Sequence, residues 1–166
     1  MPVPGIPVLD NLYPATMDMW PSEAKEFNRV WPFYENLKQG RLTTTRCKNC
    51  GHIAFPPRVI CPECYSEDLE YTDLPTRVKV IAFSEETKGV PLGFEAPLIH
   101  AFIDMGPGSP VKKMLSRVVN CPVGKLKVGD ELRLAVFEVP AMPVEKGRQG
   151  TIMVDRVFFA FEPVDQ

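Results

Sequence analysis

Cys47-Lys48-Asn49-Cys50-Gly51-His52-Ile53-Ala54-Phe55-Pro56-Pro57-Arg58-Val59-Ile60-Cys61-Pro62-Glu63-Cys64 is the stretch that decides the architecture of this chain. Its cysteines follow the spacing C-x2-C-x10-C-x2-C. Each Cys-x-x-Cys knuckle can aim two thiolates at one point. Four thiolates about one point form a tetrahedral site that suits Zn2+. Gly51 supplies the residue free to take positive φ after the first knuckle, and Pro62 presets φ in the second. Two disulfides would need an oxidising compartment, and thioredoxin-type chemistry uses one such motif beside a βαβ unit. A lone iron fits the same four-sulfur geometry. The spacing favours zinc. Such a shell has no open position, so it holds a fold together and cannot activate water.

Around the knuckles, residues 41–73 read as a zinc ribbon. Arg41–Arg46 lead in as a strand, with β-branched Thr43, Thr44 and Thr45. Arg46, Lys48 and Arg58 offset the charge of a tetrathiolate, and Pro56 and Pro57 stiffen the loop between knuckles. Upstream, residues 22–40 read as a helix capped by Ser22 and stopped by Gly40. Phe27, Val30, Trp31, Tyr34 and Leu37 share one face, and a kink is expected near Pro32. Residues 1–21 hold five prolines, yet also Ile6, Leu9, Leu12, Met17, Met19 and Trp20. They predict an extended apolar arm, packed on its own domain or wrapped on a partner.

Downstream, residues 74–166 change to short alternating runs: Arg77–Ser84, Leu98–Asp104, Lys113–Val119, Glu131–Val139 and Ile152–Glu162. Gly- and Pro-rich turns separate them. Five strands with this punctuation predict a small barrel or sandwich, and the OB-fold is the five-stranded barrel of this length. The fold class is therefore mainly β, with an N-terminal helix, a zinc ribbon and a five-stranded barrel.

Composition limits the function. A length of 166 residues allows one ordinary domain or two small ones, and 45% hydrophobic with 24% charged residues is usual for a soluble globular protein. No apolar run is long enough to cross a bilayer. The start is Pro-rich rather than basic and apolar, which reads as cytoplasmic. A net charge of −2 weighs against a dedicated nucleic-acid binder.

The order of parts resembles the acyl-CoA-associated family that joins an N-terminal helix, a rubredoxin-like zinc ribbon and an OB-fold. The residues that carry the likeness are Pro32-Phe33-Tyr34-Glu35-Asn36-Leu37, Gly40-Arg41-Leu42, Arg46-Cys47-Lys48-Asn49-Cys50-Gly51, Phe55-Pro56-Pro57-Arg58 and Cys61-Pro62-Glu63-Cys64. In the barrel they are Leu126-Lys127-Val128-Gly129-Asp130 and Phe161-Glu162-Pro163. The resemblance implies a non-catalytic accessory subunit of a thiolase-superfamily enzyme, in a hetero-oligomer, needed for assembly or substrate passage. The apolar arm and the size are most similar to members that accompany benzoylsuccinyl-CoA thiolase in anaerobic toluene degradation.

The inventory of reactive groups agrees with a chain that does not catalyse alone. Zinc takes four of five cysteines, leaving Cys121, and the two histidines are His52 and His100. Thiolase chemistry needs a nucleophilic thiol, a base and oxyanion support. Cys121, before Pro122, reads as a small buried hydrophobe. His52 reads as a hydrogen-bond partner of a zinc thiolate. His100, by parity with Leu98 and Phe102, reads as inward-facing or at an interface, a satisfied core histidine more readily than a ligand. Between residues 111 and 129 lie Lys112, Lys113, Arg117, Lys125 and Lys127 with no acid. With Arg58, the first three are candidates for the phosphates of a coenzyme A thioester. Trp20, Trp31, Phe33, Tyr34, Phe55, Pro56 and Pro57 are candidate anchors for a partner. Two other classes compete: a single-stranded nucleic-acid module stacking bases on strand phenylalanines, and a stand-alone acyl-CoA hydrolase or transferase.

Overall fold

The computed structural model describes residues 23–90, 96–145 and 150–164. The order of elements is α1 (Trp31–Lys38), β1 (Thr43–Cys47), β2 (Ile53–Ala54), β3 (Leu69–Asp73), β4 (Arg77–Glu86), β5 (Leu98–Asp104), β6 (Lys113–Val118), β7 (Glu131–Glu145) and β8 (Thr151–Pro163). The first three strands form a sheet ordered β2-β1-β3, and the last five close a barrel ordered β4-β5-β6-β8-β7. The ribbon and the closed barrel read from the sequence are both present. The N-terminal arm and Ser22 lie outside the described residues.

The helix is shorter than expected and is not kinked. Residues 23–30 form turns, and α1 begins at Trp31 with Pro32 in its first turn. There the missing N–H of proline breaks no helical hydrogen bond and its fixed φ suits a helix start. Asn28 secures the entry, its Oδ1 accepting the Val30 N–H at 2.9 Å. Gly40, with φ +72°, ends the helix, and its N–H bonds Leu37 O at 2.8 Å.

Strand β1 ties the parts together through the three threonines, all buried. Thr43 Oγ1 accepts from the Asn36 side chain of α1 at 3.2 Å. Thr44 Oγ1 donates to Ala54 O of β2. Thr45 Oγ1 accepts the Arg58 N–H at 2.9 Å, which fixes the Phe55-Pro56-Pro57-Arg58 loop. Leucines flank the ribbon: Leu42 before β1 and Leu74 after β3 are both buried, joined by Leu74 N–H to Leu42 O at 2.7 Å. They belong to the same core as Phe33 and Leu37 of α1 and the barrel interior: Val78, Val80, Ile99, Ala101, Ile103, Met114, Val118, Leu132, Val157 and Phe161. Helix, ribbon and barrel thus share one apolar core.

Barrel closure is uneven. Strands β7 and β8 pair over most of their length, from Leu132↔Pro163 to Glu145↔Thr151. Strand β4 meets β7 through three pairs, Arg77↔Arg133 to Lys79↔Glu131. The parallel β6–β8 junction has one, Val118↔Phe161, extended by Val119 N–H to Phe161 O at 2.9 Å. The turn before β7 is built as its sequence demands: Gly129 has φ +93°, and Asp130 Oδ2 accepts the Lys127 N–H at 2.8 Å.

His100 does not take the inward of its two expected positions. It shares a face with Phe102, but that face is the outer one, because Ile99, Ala101 and Ile103 fill the barrel. The outer face leaves the interface position as the alternative that the fold allows. Leu98 is buried although it falls on the outer set, which concealed the choice.

Candidate metal centre

The two knuckles converge. One Sγ from each of Cys47, Cys50, Cys61 and Cys64 lies within 4.8 Å of the others, with Cys47–Cys64 and Cys50–Cys61 at 3.6 Å. A tetrahedron with metal–sulfur bonds of about 2.3 Å has sulfurs about 3.8 Å apart, so these four fit a zinc-sized ion. Sulfur separations of 3.6 Å are far too long for disulfides, which need about 2.05 Å.

Each knuckle repeats one local design. Gly51 N–H bonds Cys47 O at 2.8 Å, and Tyr65 N–H bonds Cys61 O at 3.0 Å. The residue after each second cysteine is left-handed: Gly51 at φ +76° and Tyr65 at φ +59°. The second position has no sequence signature, since a tyrosine there gives no warning of positive φ. Cys47 N–H bonds His52 O at 2.8 Å and Cys61 N–H bonds Ser66 O at 2.9 Å, closing both loops with backbone.

The thiols do not behave alike. The Asn49 side-chain amide, then a Ser66 backbone hydrogen bond, hold Cys64 down to about 6. At Cys50 a hydrogen bond from the His52 backbone opposes the change, but burial and bonds to the Cys64, Cys61 and Cys47 thiols push it up to about 12. Four thiolates this close cannot all ionise without a cation, which is the electrostatic case for a bound dication. Zinc here would supply only a structural cross-link, held by the four sulfurs. Lys48, beside the first knuckle, pairs with Asp68 at 3.0 Å on the ribbon surface.

A clean test exists at Gly51. Nothing lies within 4 Å of a Cβ built there, so Gly51→Ala meets no steric obstacle and costs only the left-handed backbone. The expected loss is roughly 1–2 kcal/mol, read as a lower urea midpoint of the zinc-loaded chain. An unchanged midpoint would contradict the knuckle geometry.

The other sequence-selected residues are scattered. Phe33 is not a partner anchor: it is buried in the shared core, its ring edge-on to Tyr34 at 5.2 Å and to Phe159 at 6.2 Å. Trp31 and Pro56 are exposed, and Tyr34, Phe55 and Pro57 are half-buried, with Tyr34 and Phe55 leaning on the core. Trp20 lies outside the described residues. Arg117 is not a surface cation; it is 1% exposed and cannot reach a solvent-borne phosphate. Lys112 is exposed and donates to Pro107 O at 2.9 Å, while Lys113 stands 5.9 Å over the Phe102 ring. Arg58 is exposed on the ribbon loop. Arg58 belongs to the ribbon, whereas Lys112 and Lys113 stand at the start of β6 in the barrel. Cys121 is buried in the core, apart from both histidines along the chain.

The structure so far defines a class: a four-cysteine ribbon fused to a five-stranded barrel through a short helix. Comparison with known proteins narrows it. Residues 35–70 match the rubredoxin-like zinc ribbon domain of ChsH2. A DUF35 domain-containing scaffold protein of Methanothermobacter thermautotrophicus is 28% identical over 129 residues, covering 74% of this chain and 86% of the relative. The benzoylsuccinyl-CoA thiolase subunit BbsA of Thauera aromatica is 31% identical over 94 residues, 57% of this chain and 62% of BbsA. Among solved structures, a chain of the Ltp2-ChsH2(DUF35) aldolase shares the fold with a TM-score of 0.53 at 23% identity, over 82% of this chain and 95% of that one. The chain thus carries a ribbon of the ChsH2 type over residues 35–70 and is similar along most of its length to DUF35 scaffold proteins.

Proposed function

We propose that this chain is a non-catalytic accessory subunit of a thiolase-superfamily acyl-CoA enzyme, with a structural zinc ribbon and an OB-fold barrel, acting in a cytoplasmic hetero-oligomer. One observation carries the reading. Four cysteines close on one point, as a structural site without an open position does, which leaves the ribbon a scaffold and not a catalytic centre. Relatives named as a thiolase subunit and as part of an aldolase supply the direction. The strand order, with one parallel junction between the third and fifth barrel strands, supports the OB-fold assignment. Exposed Trp31 and Pro56, beside half-buried Tyr34, Phe55 and Pro57, are the anchors we assign to the partner. The finer reading, a benzoylsuccinyl-CoA thiolase subunit, rests on the BbsA match and the apolar arm.

Purification of the tagged chain from its host, with mass spectrometry of what co-elutes, tests the proposal. A stoichiometric thiolase-like chain is the expected result. A solitary protein with acyl-CoA hydrolase or transferase activity would overturn it. Within the complex, joint Lys112→Glu and Lys113→Glu substitution is expected to raise KM for the acyl-CoA several-fold if these lysines meet coenzyme A; an unchanged KM removes them from its path.

The nucleic-acid alternative loses ground on the barrel. Phe161 is buried, Phe159 packs on the core, and Phe137 packs on Ala135 and Ala160. Phe94 lies outside the described residues. The partly exposed Phe83 and Phe102 pair across strands with Ala101 and Ala82 respectively, which puts them on opposite faces of the β4–β5 ribbon. Stacking of successive bases needs aromatics on one face.

A further inference from the structure

Tyr65 joins two properties that do not serve its own fold. Its backbone is left-handed, at φ +59°, and the residue is 80% exposed. In that region a Cβ crowds the next carbonyl, so a residue with a side chain is strained there and glycine is not. Gly51, at φ +76°, fills the matching place in the first knuckle. At Tyr65 the surrounding loop imposes the conformation. Tyr65 N–H bonds Cys61 O at 3.0 Å, Cys61 N–H bonds Ser66 O at 2.9 Å, and Ser66 Oγ accepts the Asp68 N–H at 3.1 Å. A large side chain offsets such strain by burying apolar surface, and this one stays mostly in water. The strain therefore persists for a use outside the fold.

The tip around it is apolar with an acidic rim. Ile60, 42% exposed, precedes the cysteine whose N–H meets Ser66 O, so Ile60 and Tyr65 sit on adjoining backbone. Pro62, between them in the chain, is exposed as well. From residue 60 to residue 73 there are five acids and no cation. Glu67, Asp68 and Asp73 pair with Arg29, Lys48 and Arg41. Glu63, exposed inside the knuckle, has no ion pair among the described residues. The pair at Glu67 ties the knuckle to Arg29, which lies between exposed Phe27 and Trp31 in the chain. A projecting tip does not suit a small ligand, which needs a concave site. Its acids repel the phosphates of nucleic acid and of anionic lipid. A protein socket with cations at its rim matches both the shape and the charge.

We infer that the second knuckle is a docking element: Tyr65 and Ile60 enter an apolar socket on the catalytic subunit, and arginine or lysine at the socket's rim meets Glu63. This rests on the accessory-subunit reading and adds to it the place of contact and the chemistry of the opposing surface. Tyrosine is enriched among the residues that dominate interface energy, because it brings a large contact area with few rotatable bonds and a polar tip. The strain at Tyr65 then weakens the free chain, and contact in the complex offsets it.

Tyr65→Gly separates fold from docking, because it moves the two in opposite directions. In the isolated, full, zinc-loaded chain the substitution removes the strain, and the urea midpoint is expected to rise. Titrated against the thiolase-like chain recovered with the tagged protein, the same variant is expected to bind at least about 10-fold more weakly. Tyr65→Asn, whose short side chain tolerates the left-handed region, should weaken binding equally, and Tyr65→Phe should retain most of it. Glu63→Lys should weaken binding by a margin that shrinks as salt rises. Undiminished binding by Tyr65→Gly, Tyr65→Asn or Glu63→Lys would overturn the inference while leaving the accessory role intact. An unchanged or lower urea midpoint for Tyr65→Gly would overturn it as well, since the tyrosine would then serve its own fold. A tagged chain of unaltered sequence that recovers no thiolase-like partner refutes the accessory reading, and the inference falls with it.

Discussion

Cys47→Ser is expected to yield a chain without zinc, with residues 41–73 cleaved rapidly by protease. Serine cannot supply a thiolate, and three sulfurs leave the ion open to water and weakly held. Structural zinc contributes on the order of 10 kcal/mol in small modules, comparable to the whole stability of an ordinary domain. The ribbon has little else. Its sheet is β2-β1-β3, with β2 only two residues long. The surface pairs Arg41–Asp73 and Arg29–Glu67 are exposed and weak individually. Because Phe55 and Tyr71 pack on the shared core, the loss spreads: the barrel should melt at lower urea as well. Zinc analysis and limited proteolysis check the first claim, and urea unfolding the second. A Cys47→Ser protein holding one equivalent of zinc with a protease-resistant ribbon would refute the structural role. If the accessory reading holds, the same variant should fail to assemble with its catalytic subunit.

Phe161→Ala should cost about 3–5 kcal/mol, the upper end for a core aromatic. The ring is fully buried, and the residue sits where β8 meets both neighbours, paired with Leu134 on β7 and Val118 on β6. The β6–β8 junction has only this one register pair, so a cavity here removes packing where hydrogen bonds are fewest. Leu115→Ala is the internal control: Leu115 is 69% exposed and its loss should stay within about 0.5 kcal/mol. Equal urea midpoints for the two variants would show that closure does not rest on Phe161.

The metal site was legible because its chemistry is local: four cysteines at fixed spacing imply their own geometry. The barrel strands were legible because turn residues bracket them; β5 runs from Leu98 to Asp104 as read. What failed needed long-range knowledge. The helix begins later than its apolar stripe implies: Phe27 and Val30 fit the stripe, but Pro32 marks a start rather than a kink. Phe33 looks like a surface residue when ribbon and helix are considered apart, but the core that buries it is shared with the barrel. Arg117 shares its charge with the neighbouring lysines but not their exposure, since the fold buries it and leaves Lys112 and Lys113 outside. The roles of Thr43, Thr44 and Thr45 were invisible for the same reason, since each hydroxyl answers a partner in another segment.

The continuity of the core closes one route. Phe33, Leu37, Leu42 and Leu74 seal one mouth of the barrel, and Ile99, Ile103, Leu132 and Phe161 fill its lumen. Cores of this kind pack at crystalline density, leaving no bore for an acyl chain. Under the proposed accessory role, a thioester would have to pass outside this barrel rather than through it.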